Sequence, residues 1–248
     1  MVKIIPRPRR PLPERPVLIQ SEELVLEGLY INRKREGLAT PVLLNAPHPQ
    51  FGGSMDSPVI NEIAYALSRE KVSSLRFNYR GCGGSQGAYE GGPGEMKDGE
   101  AASRFLLETY YDEAKDRKET KKGVVVNAPF SIAGFSFGSW VGFNNALKKT
   151  YPNKQIERLL LIAPPLEKRE YDYSNLPKLK MEVGILVGER DTFCKVKTLE
   201  TFLAKLEKKH PKWRRPQTFF VKNASHFFVQ GLSEAGEAAV QFLTHGRF

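Results

Sequence analysis

Apolar positions along this chain follow two rhythms that alternate with each other. The stretch LVLEGLYIN (24–32) mixes apolar and β-branched residues and ends in the charged turn RKREG (33–37), which predicts one strand of an opening hairpin. PVLLNAP (41–47) is apolar on both faces, the pattern of a central strand covered by helices on either side. PVINEIAYAL (58–67) then has helical spacing behind Ser57 or Asp56 as N-cap, and a strand over 72–80 runs into the glycine-rich loop GCGGSQG. The unit repeats as a helix at 95–113, a strand at 130–136, a helix at 137–149 and strands at 158–164 and 181–191. A helix at 195–209, a strand at 217–223 and a helix at 232–244 complete it. Such alternation specifies an α/β fold: an open, mostly parallel doubly wound sheet with helices on both faces. The polar segment 165–180 is too short for a helical lid, and GVVVNAPF (123–130) fits either an extra turn or the start of the strand at 130.

Composition narrows the picture. With 248 residues, 40% of them apolar, the chain has material for a large core. No apolar run reaches the roughly 20 residues that cross a bilayer, and MVKIIPRPRR lacks the apolar stretch of a secretory signal, so the expectation is a soluble, cytoplasmic protein. Cys82 and Cys194 exclude a disulfide framework and a Cys-rich zinc site, while a single disulfide or a reactive thiol stays open. The four histidines show no metal-ligand spacing, and no cofactor is indicated.

Charge adds one question. The formal net charge is +10, which asks for an anionic partner. Lys3, Arg7, Arg9, Arg10 and Arg15 stand against Glu14 among the prolines of residues 1–16, read as a basic flexible arm preceding a single domain at 17–248. Further basic runs occupy 33–35, 115–122 and 205–215. Neither a zinc finger, a basic zipper nor an RNA-binding aromatic signature accompanies them, so solvated faces compete with contact to nucleic acid or an anionic surface.

The sharpest local signal is Gly134-Phe135-Ser136-Phe137-Gly138, preceded by a strand and followed by a helical pattern. In that context G-x-S-x-G forms a nucleophile elbow, whose glycines let the strained serine turn pass close to its neighbours. A serine nucleophile needs a base to take its proton and an acid to orient the base. Asp191 closes the strand ILVGERD and His226 follows the strand TFFVKN, so both fall one loop beyond a strand C-terminus, on the rim of the elbow. The order Ser, Asp, His is that of the α/β-hydrolase pattern.

These residues resemble those of a cap-less α/β-hydrolase, close to the dienelactone-hydrolase-like group with H-P-x-x-G-G-[ST]-M-[DN] after the third strand. Here the motif reads His48-Pro49-Gln50-Phe51-Gly52-Gly53-Ser54-Met55-Asp56. Arg76-Phe77-Asn78-Tyr79-Arg80-Gly81, Ala163-Pro164-Pro165 and Ser225-His226-Phe227-Phe228 add to it, over residues from about 22 onward. Ala46 stands where the group often has a histidine, and Thr192-Phe193-Cys194-Lys195 replaces its usual Asp-x-x-Val loop. The resemblance implies the α/β-hydrolase fold without a large lid domain. Dienelactone hydrolases use a cysteine nucleophile, so Ser136 argues for esterase-like or peptidase-like chemistry instead.

The expected activity is cleavage of a small acyl-bearing substrate, an ester, thioester or short amide, through Ser136, His226 and Asp191. The backbone N–H of Phe137, with that of Gln50 or Phe51, is expected to bind the oxyanion. His48, Gly52, Gly53, Met55, Phe135 and Phe193 are expected to support the loop or line the pocket. Arg76 and Arg80 either bind a substrate carboxylate or pair with nearby acids. The competing reading is a binding or scaffold protein with an idle triad, which meets an anionic partner through the basic arm.

Overall fold

The computed structural model describes residues 11–33, 40–112, 129–148 and 155–248. Eight strands form one sheet: β1 (Glu14–Ser21), β2 (Leu24–Ile31), β3 (Val42–Asn45), β4 (Ser74–Phe77), β5 (Phe130–Phe135), β6 (Ile156–Ile162), β7 (Glu182–Gly188) and β8 (Gln217–Val221). Their order is β1-β2-β4-β3-β5-β6-β7-β8. The first two pairings, β1 with β2 and β2 with β4, are antiparallel, and every pairing from β4 to β8 is parallel. Among the described residues five α-helices pack on the sheet: α1 (Pro58–Arg69), α2 (Pro93–Asp112), α3 (Phe137–Leu147), α4 (Val196–Lys209) and α5 (Leu232–His245). The sheet is open, mostly parallel and doubly wound.

Period-two alternation in the central strands explains the two layers of helices. Ala133 and Phe135 of β5, with Leu160 and Ile162 of β6, enter a core shared with α1 and α5. Phe130 and Ile132, with Leu159 and Leu161, enter the opposite core, beside residues of α2, α3 and α4. Buried on both faces, the four residues of β3 lie between two parallel neighbours, as the apolar run Val42–Leu44 requires.

Three expectations change. The opening hairpin joins β2 to β1 through Glu22 and Glu23, not across the charged turn at 33–37; residues 34–39 lie outside those described. Strand β1 also starts inside the segment read as an arm, since Glu14, Arg15 and Pro16 pair with β2. An edge strand tolerates Pro16, and alternation buries Ile19 and Ser21 while leaving Leu18 exposed. Residues 1–10, and 123–128 of the ambiguous GVVVNAPF stretch, lie outside the described residues, but Phe130 begins β5. The strand at 72–80 is shorter than expected, with β4 confined to Ser74–Phe77, although the Asn78 N–H still reaches Glu27 O of β2 at 3.1 Å.

Two buried arginines brace the antiparallel side. Arg76 meets both Glu14 carboxylate oxygens at 2.7 and 2.8 Å, and its Nη1 donates to Met55 O and Asp56 Oδ1. Arg80 donates to Asp98 and Glu90 and pairs with Glu22 at 3.6 Å, while Asp98, fully buried, also accepts from Arg80 N and Ser21 Oγ. Protein acids occupy both guanidinium groups, which makes them braces; no substrate carboxylate is needed to balance them. Arg80→Met leaves Asp98 buried without its cation and is expected to destabilise the fold by about 3–5 kcal/mol, read from urea unfolding.

Candidate active site

The turn from β5 into α3 places Ser136 at φ +53° and ψ −119°, a left-handed conformation that few non-glycine residues adopt. Its N–H donates to Ile162 O at 2.8 Å, which ties the strained residue to β6. A Cβ on Gly134 would overlap the backbone of Gly138 and reach Ser139 N at 2.7 Å. A Cβ on Gly138 would overlap the backbone of Asn45 and Ala46 at the end of β3. Both glycines are therefore required by close backbone approach.

Beyond β7, the Asp191 N–H bonds Gly188 O at 3.0 Å, and the carboxylate is fully buried. One carboxylate oxygen accepts the N–H groups of Phe193 and Cys194 at 2.7 and 2.9 Å; the other meets His226 Nδ1 at 2.9 Å. On its far side the imidazole has Nε2 3.0 Å from Ser136 Oγ. A carboxylate accepts only, so Nδ1 carries the proton and the Nε2 lone pair of a neutral ring faces the serine hydroxyl. Phe193, Phe135 and Phe227 surround the His226 ring at centroid distances of 4.7, 5.3 and 5.2 Å. The structure thus brings Ser136, Asp191 and His226 into one hydrogen-bonded line.

Phe137, which follows the serine, begins α3, where the first N–H groups have no partner within the helix, and the Ser136 side chain at the N-cap does not cap them. The loop beyond β3 forms a 3-10 turn at Pro49–Phe51. There the N–H groups of both Phe51 and Gly53 donate to His48 O, at 3.1 and 3.0 Å. Both candidates for the second oxyanion donor are thus engaged by His48, since the Gln50 N–H donates to its Nδ1 at 3.2 Å. Gly52 sits at φ +75°, and a Cβ on Gly53 would overlap the backbone of Pro47 and His48. Burial holds the His48 imidazole below its usual pKa, opposed by the nearby Glu170, and the neutral ring packs among Phe51, Tyr89 and Phe137. Here His48 shapes the loop.

Met55 is buried, its N–H bonded to Asn78 Oδ1 at 2.7 Å, and Phe135 is buried against His226. Cys82 and Cys194 are unlinked. Burial raises the pKa of both thiols; Cys82 donates to Gly53 O and Cys194 lies in the core beside α4. Of five exposed large apolar side chains among the described residues, Phe51, Phe193, Phe227 and Val229 stand on loops of this rim. Among the described residues no group of three His, Cys, Asp or Glu side chains is placed to hold a metal, and no helix is long and apolar enough to cross a membrane.

One supporting pair escaped the sequence reading. Ser139 Oγ donates to Ser136 O at 2.6 Å and lies 2.7 Å from the buried Tyr173 hydroxyl, so Tyr173 donates to Ser139. The tyrosine comes from the 165–180 segment, whose Tyr171 and Tyr173 among polar neighbours were the available signal. Between β6 and β7 that segment carries only a 3-10 turn at Leu176–Lys178, and no lid. Tyr173→Phe is expected to destabilise the fold by about 1–3 kcal/mol, since it leaves Ser139 short of a buried donor; the change in urea midpoint reads it.

No known family profile matches the chain. In sequence it is similar to an uncharacterised protein of Rickettsia prowazekii, 26% identical over 219 residues, which cover 88% of this chain and 84% of the relative. In structure it resembles an alpha-beta serine hydrolase homologue from Coxiella burnetii, with a TM-score of 0.73 and 26% identity over 93% of this chain and 97% of the other. An α/β serine hydrolase without a lid from Xanthomonas campestris matches with a TM-score of 0.71 and 22% identity over 95% of each chain, a likeness of fold.

Proposed function

We propose that this chain, which has the small lidless α/β-hydrolase fold, is a serine hydrolase that cleaves a carboxylic ester, thioester or short amide through an acyl-enzyme. One observation carries the reading: Ser136 Oγ lies 3.0 Å from His226 Nε2, while the opposite ring nitrogen is held by the buried Asp191.

In the first step Ser136 Oγ attacks the acyl carbonyl carbon as His226 Nε2 takes the hydroxyl proton. Asp191 keeps the proton on Nδ1 and stabilises the imidazolium that forms. The carbonyl electrons move onto oxygen, where the N–H of Phe137, aided by the N-terminal end of α3, meets the developing charge. The N–H of Gln50 or of Phe51 is the second donor once it turns from His48. Collapse of the tetrahedral intermediate breaks the bond to the leaving group, to which His226 returns the proton. Water then repeats the cycle on the ester of Ser136 and releases the acid.

Phe51, Phe193, Phe227 and Val229 around this position suit an apolar acyl or aryl group, and without a lid the site is open to small substrates. Two unlinked thiols fit a reducing, cytoplasmic compartment. Dehalogenase and epoxide-hydrolase chemistry would need an aspartate where Ser136 stands.

The purified chain is expected to be labelled by a fluorophosphonate probe and to turn over p-nitrophenyl acetate and butyrate, with labelling abolished in Ser136→Ala. A folded wild-type sample that stays unlabelled would sink the reading. In Asp191→Asn the carboxamide no longer selects the required tautomer, and kcat for p-nitrophenyl acetate is expected to fall on the order of 10⁴-fold while the fold persists.

A further inference from the structure

At the rim opposite Ser136, a groove of about 700 Å³ lies between the N-terminal ends of β7 and β8, the end of α4 and the segment around 176–181. That volume suits a small organic ligand. The seven residues of β7 separate it from Asp191 by about 20 Å of strand, so its occupant would not reach the serine. Its wall holds much of the basic run at 205–215, which the hydrolase reading leaves unused.

Some of the charge there is already balanced. Arg215 pairs with Glu200 and Glu207, and Glu182, the acid of the wall, pairs with Arg158. Lys180, Lys209, Lys212 and Arg214 also line the groove and pair with no carboxylate among the described residues. The C-terminal dipole of α4 accounts for Lys209 alone, since the other three lie outside the helix. Trp213 lines the same groove and packs in part against the core, and its backbone N–H donates to His210 O at 2.8 Å.

Several cations lining one recess call for a ligand with more than one negative charge, and an indole packed in part against the core offers a flat face to an aromatic ring. A bilayer surface is too flat to enter a recess. We propose that this groove is a nucleotide-phosphate site, in which a base stacks on Trp213 and phosphates lie among Lys180, Lys209, Lys212 and Arg214. A free nucleoside polyphosphate and the end of a single-stranded nucleic acid present this same chemistry.

The test follows Trp213 emission of the full chain during titration with ATP and, separately, with an eight-residue deoxythymidine oligonucleotide. Trp140 is the other tryptophan, so Trp213→Phe supplies the reference. Saturable quenching by at least one probe is expected, absent in Trp213→Phe and shifted at least tenfold to higher concentration in Lys209→Glu/Lys212→Glu. Both lysines are exposed, so the variant should keep the wild-type urea midpoint; Lys209→Gln/Lys212→Gln serves if it does not. ATP binding at least as tightly as the oligonucleotide identifies the free nucleotide. Tighter oligonucleotide binding, with log affinity falling against log salt by about 0.7 for each phosphate contact, identifies the strand. Failure of both probes to quench, or affinity undiminished in the folded lysine variants, would overturn the proposal; neither result bears on fluorophosphonate labelling.

Discussion

Everything on the active rim depends on the left-handed turn at Ser136. A non-glycine residue in such a conformation costs on the order of 1–3 kcal/mol and persists only where its surroundings over-determine it. Here those surroundings are visible on every side. Ile162 O takes the N–H, Ser139 and Tyr173 hold the carbonyl, and the glycines at 134 and 138 let α3 close onto the end of β3. That closeness sets the rest of the site, because the loop carrying Gln50 leaves β3 where Gly138 touches it. The serine and the proposed oxyanion donors are thus positioned by one packing contact.

The antiparallel side secures the same loop from its other end. Arg76 gathers Glu14 from β1 and Met55 and Asp56 from beyond the 3-10 turn, and Asn78 takes the Met55 N–H. Removing two charges from water is costly, and such pairs are weak evidence for net stability. Their value here is geometric: they fix which loop lies against which strand.

Positions set by the end of a strand were legible in the sequence. Ser136, Asp191 and His226 each follow an apolar run, and helices at 58, 137, 196 and 232 announced themselves by spacing and by residues such as Ser57, whose Oγ accepts the Ile60 N–H. What could not be read involves partners distant in the chain. β1 was hidden by Pro13 and Pro16, and its pairing with β2 only makes sense once β3 is known to be enclosed by β4 and β5. That His48 engages the N–H groups of both Gln50 and Phe51 follows from a 3-10 turn, a detail no residue type encodes. Tyr173 sat in a segment dismissed as polar, where burial of one ring outweighed the character of its neighbours.

The position of β3 also bears on how the molecule is made. Its outer neighbour β5 arrives late: the hydroxyls of Thr40 and Ser131, which meet at 3.5 Å, lie 91 positions apart. At a synthesis rate of about 5–20 residues per second, this doubly buried strand waits for roughly 5–20 s with one edge open. During that interval the nascent chain carries a sticky, unpaired strand, and the loop of Gln50 has no α3 to rest against. A ribosome stalled within α2 would therefore hold an aggregation-prone half-sheet with no active rim at all.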